Sequence, residues 1–171
     1  MDLEVAVVKK LIITKFMARV NSGINPKYLS DQHLIAESVE ITMITGALRK
    51  DGYMIKGSVP DEYCLGKGHI NFFKPRIVYL WHRLEEVNNE MKRRGFEPGT
   101  KINLIEFAGN NCQVKNWQPK FKDTCLVRQR IIERLKEPKK AKQGFHRYYG
   151  NPIDDMEQFS ETLKKSELFY V

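Results

Sequence analysis

Two carboxylates and one imidazole recur at helical spacing in the first third of the chain. His33, Glu37 and Glu40 are four and three residues apart, so they line one side of a helix if this segment is helical. Carboxylates placed in this way can transfer protons or stabilise a developing positive charge, as in general acid–base catalysis. A solvated helix face has the same spacing, so the pattern alone leaves both interpretations open.

The elements that must position these side chains are helices. Ser30 is a favourable N-cap for a helix that runs to about Lys50. A second helix is predicted from Pro75 to Gly95 and a third over Thr124–Glu137, where Pro138 stops it. The core-facing residues predicted for the first and third helices are Leu34, Ile41, Ile44, Leu48, Leu126, Val127, Ile131 and Leu135. The sequence therefore predicts a mainly α fold, a compact single domain of three principal helices with loop-rich connections.

Composition limits the class of protein. A chain of 171 residues with 42% hydrophobic side chains is long enough for one globular domain with a core. Its 29 Lys and Arg against 21 Asp and Glu fit a polyanionic partner, although a merely basic soluble protein has the same balance. Three cysteines without CxxC spacing and four scattered histidines predict no metal site and reduced thiols, hence a cytoplasmic protein that is not secreted. No apolar stretch has membrane-spanning length.

A basic and aromatic segment lies near the C-terminus, where the chain runs KKAKQGFHRYYG from 139 to 150. Cations meet phosphates and aromatic rings stack on bases, so this combination suits a nucleic acid. A partly buried aromatic turn flanked by solvated lysines fits the same residues equally well. The candidate nucleic-acid contacts in this segment are Lys139, Lys140, Lys142, Phe145, Arg147, Tyr148 and Tyr149.

Six segments follow one another in a defined order. They are MARVN (17–21), DQHLIAE (31–37) followed by Glu40, GALRK (46–50), LGKGHINFF (65–73), KRRGF (92–96) and FHRYYG (145–150). None is specific by itself, but their combination is. Together they resemble the pyrimidine-dimer DNA glycosylases of phages and algal viruses, the endonuclease V type of the T-even phages.

This resemblance implies a compact helical domain with its N-terminus threaded between helices, expected to act as a monomer. It implies binding to damaged double-stranded DNA at a cyclobutane pyrimidine dimer, with extrusion of a base opposite the lesion. The terminal amine of the residue after the initiator Met would attack C1′ of the dimer's 5′ sugar and displace the base as a Schiff base forms. β-Elimination would then cut the strand, the AP-lyase step, without a metal or other cofactor.

The resemblance also assigns roles to residues of this chain. Ala18, which would supply the amine, and Glu40 are the catalytic residues that it implies. Arg19 and His33 match positions beside the active site, and Arg134 matches a basic position that faces DNA. The aromatic end that begins at Phe145 matches the DNA-contacting end of the family.

Several positions depart from the family pattern. Val39 and Met43 stand where arginines commonly grip phosphates near the lesion, and Ala18 stands where threonine is usual. Residues 1–16 form an N-terminal extension that leaves the Ala18 nitrogen inside a peptide bond. An amide nitrogen has a delocalised lone pair and cannot act as an amine nucleophile.

Three hypotheses follow for a chain divided into the extension (1–16), a glycosylase-like domain (17–150) and a C-terminal extension with a short amphipathic helix (151–171). The first is an active glycosylase and lyase whose working chain begins at Ala18. The second is a non-catalytic DNA-binding relative with a blocked nucleophile. The third is a glycosylase for another damaged or modified base, or one that uses a lysine amine such as Lys15.

Overall fold

The computed structural model describes residues 20–110, 112–137 and 146–165. Within these ranges the chain forms six α-helices, one 3₁₀ helix and one two-stranded hairpin, which confirms the predicted mainly α class. In chain order they are the 3₁₀ helix Pro26–Tyr28, α1 (Asp31–Lys50), α2 (His69–Phe73), α3 (Ile77–Arg93), α4 (Leu104–Gly109), α5 (Phe121–Leu135), β1 (Arg147–Tyr148), β2 (Asn151–Pro152) and α6 (Met156–Lys164).

The three long helices are close to their predicted bounds. The Ser30 hydroxyl accepts the His33 backbone N–H and so caps α1, as the sequence indicates. Helix α3 stops just before Gly95, whose φ of 82° is in the left-handed region that favours glycine. Helix α5 begins at Phe121, earlier than predicted, because the Lys120 backbone N–H donates to the Asp123 carboxylate over 2.9 Å and stabilises an earlier first turn.

The prediction for Leu126 is wrong. This side chain is 44% exposed, whereas Val127, Ile131 and Leu135 are buried. Those three residues are spaced by four and form one face of α5. Leu126 lies about 100° around the helix from Val127, which turns it toward solvent.

The core lies mainly between α1 and α3, which contact each other more than any other pair of described elements. Aromatic rings extend this core beneath α2, where Tyr63, Phe72, Phe73 and Trp117 pack within about 6 Å of one another. Helix α6 buries Phe159 and Leu163 and contacts α5. None of the helices in the described ranges has the length and apolar character needed to cross a membrane.

Arg94 connects the start of α1 to the C-terminal hairpin. Its fully buried guanidinium donates to Asp31, Glu90 and the Leu29 carbonyl oxygen over 2.8–2.9 Å. The Asp31 carboxylate in turn accepts the backbone N–H groups of the turn between β1 and β2, at 2.8 Å from Gly150. This hub therefore fixes where the hairpin sits relative to the functional helix.

The ionisation of the hub follows from these bonds. Burial alone would raise the pKa of Glu90, but hydrogen bonds from the Tyr149 hydroxyl and from Arg94 outweigh burial and hold this pKa below its ordinary value. The bond to Glu90 raises the pKa of Tyr149, because a phenolate would face a carboxylate. Glu90 is therefore a carboxylate and Tyr149 a neutral phenol at neutral pH.

We predict that Arg94→Met lowers the free energy of unfolding by about 3–5 kcal/mol, because two buried carboxylates lose their cation. Arg93→Met is the matched control, since the adjacent Arg93 side chain is 74% exposed and its contact with Glu90 is longer, at 3.4 Å. The control should cost about 1 kcal/mol or less. Urea denaturation at pH 7 measures both, and equal losses would contradict the assignment of Arg94 as the hub.

Candidate active site

Four hydrogen bonds fix the positions of Val20 and Asn21 next to the candidate site. The Val20 N–H donates to His69 Nε2 over 3.1 Å, and the Tyr63 hydroxyl donates to the Val20 carbonyl oxygen over 3.4 Å. The Asn21 backbone N–H and side-chain amide donate to the two carboxylate oxygens of Glu37, each over 2.9 Å. Val20 is therefore bound by His69 of α2 and by Tyr63, which precedes α2, and Asn21 is bound by Glu37 of α1.

His69 acts here as an acceptor. Its Nδ1 lies 2.9 Å from the Cys64 carbonyl oxygen, which can only accept, so Nδ1 carries the proton. Nε2 then accepts the Val20 N–H. Sequence analysis missed this role, although His69 belongs to the GHINFF segment on which the resemblance rests.

Glu37 is buried and does not belong to a solvated stripe. Arg83 donates to both of its oxygens, over 2.7 and 3.0 Å, and also donates to the Ile24 carbonyl oxygen over 2.7 Å. Side-chain exposure is 0% for Glu37 and 1% for Arg83. Burial alone would lower the pKa of Arg83, but the Glu37 carboxylate outweighs it and keeps this pKa above its ordinary value. The solvated-face interpretation is therefore wrong for Glu37.

Glu40, one turn further along α1, lines a small cavity of about 50 Å³. Helix α1 supplies one wall of this cavity and α5 supplies the other. The lining residues are Asn21, His33, Ala36, Glu40, Arg130, Ile131 and Arg134. The structure thus brings together three of the predicted site residues, namely Glu40, His33 and Arg134.

Arg130 is a cavity residue that sequence reasoning left out. It is four residues from Arg134 on α5, so the two arginines share one helix face, and that spacing was visible in the sequence. A carboxylate opposite two guanidinium groups gives the cavity one proton-transfer group and two groups able to bind a phosphate. Glu40, Arg130 and Arg134 are each partly exposed to solvent.

His33 is held by the C-terminal segment. Its ring stacks on the ring of His146 at a centroid distance of 5.3 Å and an interplanar angle of 7°. The Ser30 hydroxyl lies 2.7 Å from His33 Nδ1 and 3.4 Å from His146 Nδ1. The N-cap of α1 therefore links a cavity residue to the segment that precedes β1.

Tyr148 and Tyr149 have structural bonds of their own. The Tyr148 hydroxyl donates to the Lys27 carbonyl oxygen over 2.8 Å, and the Tyr149 hydroxyl donates to Glu90 over 2.7 Å. Tyr148 is half-buried, whereas Tyr149 is 45% exposed and Arg147 is exposed. DNA contact by these three residues stays a prediction, in which Arg147 and the Tyr149 ring are the accessible groups.

Six predicted site residues lie outside the described ranges: Ala18, Arg19, Lys139, Lys140, Lys142 and Phe145. Their roles stay predictions. No group of three or more His, Cys, Asp or Glu side chains suited to a metal occurs in the part of the chain that the structure describes. The cysteines there, Cys64, Cys112 and Cys125, are free thiols.

The described ranges form a mainly α domain in which the Glu40 carboxylate shares a small cavity with Arg130 and Arg134. The family model described as pyrimidine dimer DNA glycosylase matches residues 17–104, just over half of the chain. The chain belongs to the pyrimidine dimer DNA glycosylase family, whose substrate is DNA. The match begins at Met17 and includes Glu37, Glu40 and Arg83, whereas α5 lies beyond its end.

We predict losses of stability of different size at the two carboxylates of α1. Glu37→Gln should lower the free energy of unfolding by about 3 kcal/mol or more, because it leaves the buried Arg83 guanidinium without its counter-charge. Glu40→Gln should cost about 1 kcal/mol or less, since Glu40 is partly exposed. Urea denaturation of both variants tests this, and a larger loss for Glu40→Gln would reverse the assigned roles.

Proposed function

We propose that this protein is a DNA glycosylase with AP-lyase activity on cyclobutane pyrimidine dimers in duplex DNA, and that it is active in a form whose chain begins at Ala18. Family membership supports the glycosylase class. The amine mechanism, the lyase step and the dimer specificity in damaged duplex DNA are inferred from the resemblance and from the geometry around Glu40.

The anchoring of Asn21 is the observation that supports the amine mechanism best. Asn21 is bonded to Glu37 and lines the Glu40 cavity. Ala18 precedes it by three residues, which span at most about 11 Å. A terminal amine on Ala18 is thereby confined by covalent geometry to the neighbourhood of the cavity.

The groups around this cavity suit the chemistry of the proposed reaction. The amine attacks C1′, the C1′–base bond breaks, and the departing base takes up one proton of the amine. The C1′–O4′ bond of the sugar then opens, O4′ takes up the second amine proton, and the imine that remains is the Schiff base. A carboxylate at Glu40 stabilises positive charge on the sugar and then accepts the C2′ proton as the bond to the 3′ phosphate breaks. Arg130 and Arg134 are suited to hold a phosphate of the substrate strand.

One observation favours a second candidate, a DNA-binding relative without catalysis. Val39 and Met43 are 49% and 41% exposed on α1, at two positions near Glu40 where the resemblance leads us to expect arginines. A missing charge-assisted phosphate contact weakens binding by roughly 1.5–3 kcal/mol. In such a protein the N-terminal extension would block the nucleophile permanently.

We predict that borohydride traps a covalent complex with dimer-containing duplex DNA only when the chain begins at Ala18. Reduction converts the Schiff base to a stable amine, whereas an amide nitrogen forms no Schiff base. The chain from Met1, verified intact by mass spectrometry, is the matched control. Failure of both forms to trap while both bind DNA would support the non-catalytic candidate.

Equal trapping by both forms would instead contradict the terminal-amine mechanism and indicate a lysine amine. A Lys15→Arg variant of the full chain then separates the remaining possibilities, because arginine forms no comparable Schiff base. Duplexes that carry other damaged bases test the dimer specificity in the same assay.

In the form beginning at Ala18, Glu40→Gln should slow strand cleavage by roughly 100-fold or more, the scale of general acid–base assistance. DNA affinity should stay near normal, because a carboxylate gains nothing from the phosphate backbone. Glu85→Gln on α3 is the control, since Glu85 is an exposed carboxylate away from the cavity. Glu37→Gln is not a suitable control, because this substitution disturbs the buried ion pair with Arg83. Unchanged cleavage in Glu40→Gln would remove Glu40 from the proposed mechanism.

A further inference from the structure

A second cavity, of about 450 Å³, lies where the 3₁₀ helix, the C-terminal hairpin and α6 meet. Cavities of this volume are in the range that holds small molecules. Among the described residues it shares none of its lining with the Glu40 cavity, and the proposed DNA reaction does not use it. The chemistry of its walls therefore has to indicate its occupant.

Three aromatic rings line this cavity, one from each of the three elements. They belong to Tyr28, Tyr148 and Phe159. The Tyr148 and Phe159 rings meet edge to face, at a centroid distance of 5.4 Å and an interplanar angle of 63°. Aromatic walls bind apolar groups by burial, and the negative face of an aromatic ring also attracts a cation. Such walls suit a ligand that combines an apolar body with a positive charge.

Both tyrosine rings of the cavity already attract cations of the protein itself. The Lys27 ammonium lies 4.8 Å from the centre of the Tyr28 ring, and the Arg94 guanidinium carbon lies 5.0 Å from the centre of the Tyr148 ring. Neither cation lines the cavity. Arg94 is paired with two buried carboxylates, and Lys27 is exposed to water, which screens its charge. These two cations therefore repel a further cation only weakly.

The polar rim of the cavity is acidic. Asp154 and Asp155 line it, and none of the eight described lining residues carries a positive charge. Asp155 uses one carboxylate oxygen to cap α6 over 2.8–3.0 Å, whereas Asp154 is an exposed carboxylate next to it in the chain. On a chain of formal net charge +8, two carboxylates at an aromatic cavity disfavour a phosphate and favour a cation.

We propose that this cavity binds a small organic cation, an ammonium group attached to an aromatic or aliphatic body. The body packs against the rings of Tyr28, Tyr148 and Phe159, and the ammonium lies at the rim, next to Asp154 and Asp155. A bound ligand contacts the 3₁₀ helix, the hairpin and α6 at once, so it stabilises the folded chain by mass action.

Three ligands with one apolar body and different end groups test the charge preference: phenylpropylammonium, phenylpropanol and phenylpropanoate. Chemical-shift titration of the isotope-labelled full chain at pH 7 measures each affinity and locates each site. We expect the ammonium to bind about 10-fold or more tightly than the alcohol, and the carboxylate to bind most weakly. The largest shifts should lie at the backbone amides of Gln158, Phe159 and Thr162.

Asp154→Asn tests the acidic rim. This variant should bind the ammonium about 5-fold more weakly and the alcohol as tightly as before, because it removes a nearby charge and leaves the aromatic walls intact. Glu157→Gln is the matched control, since Glu157 is an exposed carboxylate in the first turn of α6 that does not line the cavity. Both substituted side chains are exposed, so urea denaturation should be unchanged in both variants.

Equal affinity for the ammonium and the alcohol would overturn the proposal, as would tighter binding of the carboxylate or no binding at millimolar ligand. Shifts centred on the Glu40 cavity would place the cation elsewhere and have the same consequence. Equal losses in Asp154→Asn and Glu157→Gln would assign the effect to the overall charge of the protein and not to this rim. None of these measurements involves DNA, so failure here is distinguishable from failure of the proposed glycosylase.

Discussion

Glu37 and Arg83 meet inside the protein with almost no exposed side-chain surface, and the geometry of the candidate site depends on this contact. A buried ion pair is weak evidence for stability, because the loss of hydration offsets much of the attraction. In this protein the ion pair matters because it fixes the position of neighbouring groups. Arg83 orients the Glu37 carboxylate, and that carboxylate binds both N–H donors of Asn21. One turn of helix then separates this anchor from Glu40, so the anchor and the candidate catalytic carboxylate lie on one rigid element.

Local patterns in the sequence predict the helices well because their causes are local. Ser30 caps α1, and the apolar spacing of four defines the buried face of α5. The sequence predicts the start of α5 too late, because the apolar periodicity of this segment begins only after Thr124. The carboxylate of Asp123, which stabilises the earlier turn, gives no apolar signal.

The contacts that position the site are harder to predict because their partners are distant in the chain. Glu37 and Arg83 are 46 residues apart, and Asp31 and Gly150 are 119 residues apart. Helical spacing places Glu37 and Glu40 on one side of α1, but it does not show that only Glu37 meets a buried cation. The family resemblance supplied Glu40 as the candidate carboxylate, and the tertiary structure shows that Glu37 is fully occupied elsewhere.

Tyr149 has a φ of 51°, in the left-handed region that favours glycine. An L side chain in this conformation costs about 1–2 kcal/mol. The Asp31 carboxylate offsets the cost by accepting the Tyr149 backbone N–H, and this bond does not depend on the side chain. Sequence change at this position can therefore relieve backbone strain without undocking the hairpin. Tyr149 in this conformation therefore lowers the stability of the fold. In return, its partly exposed ring is held at a fixed place on the surface.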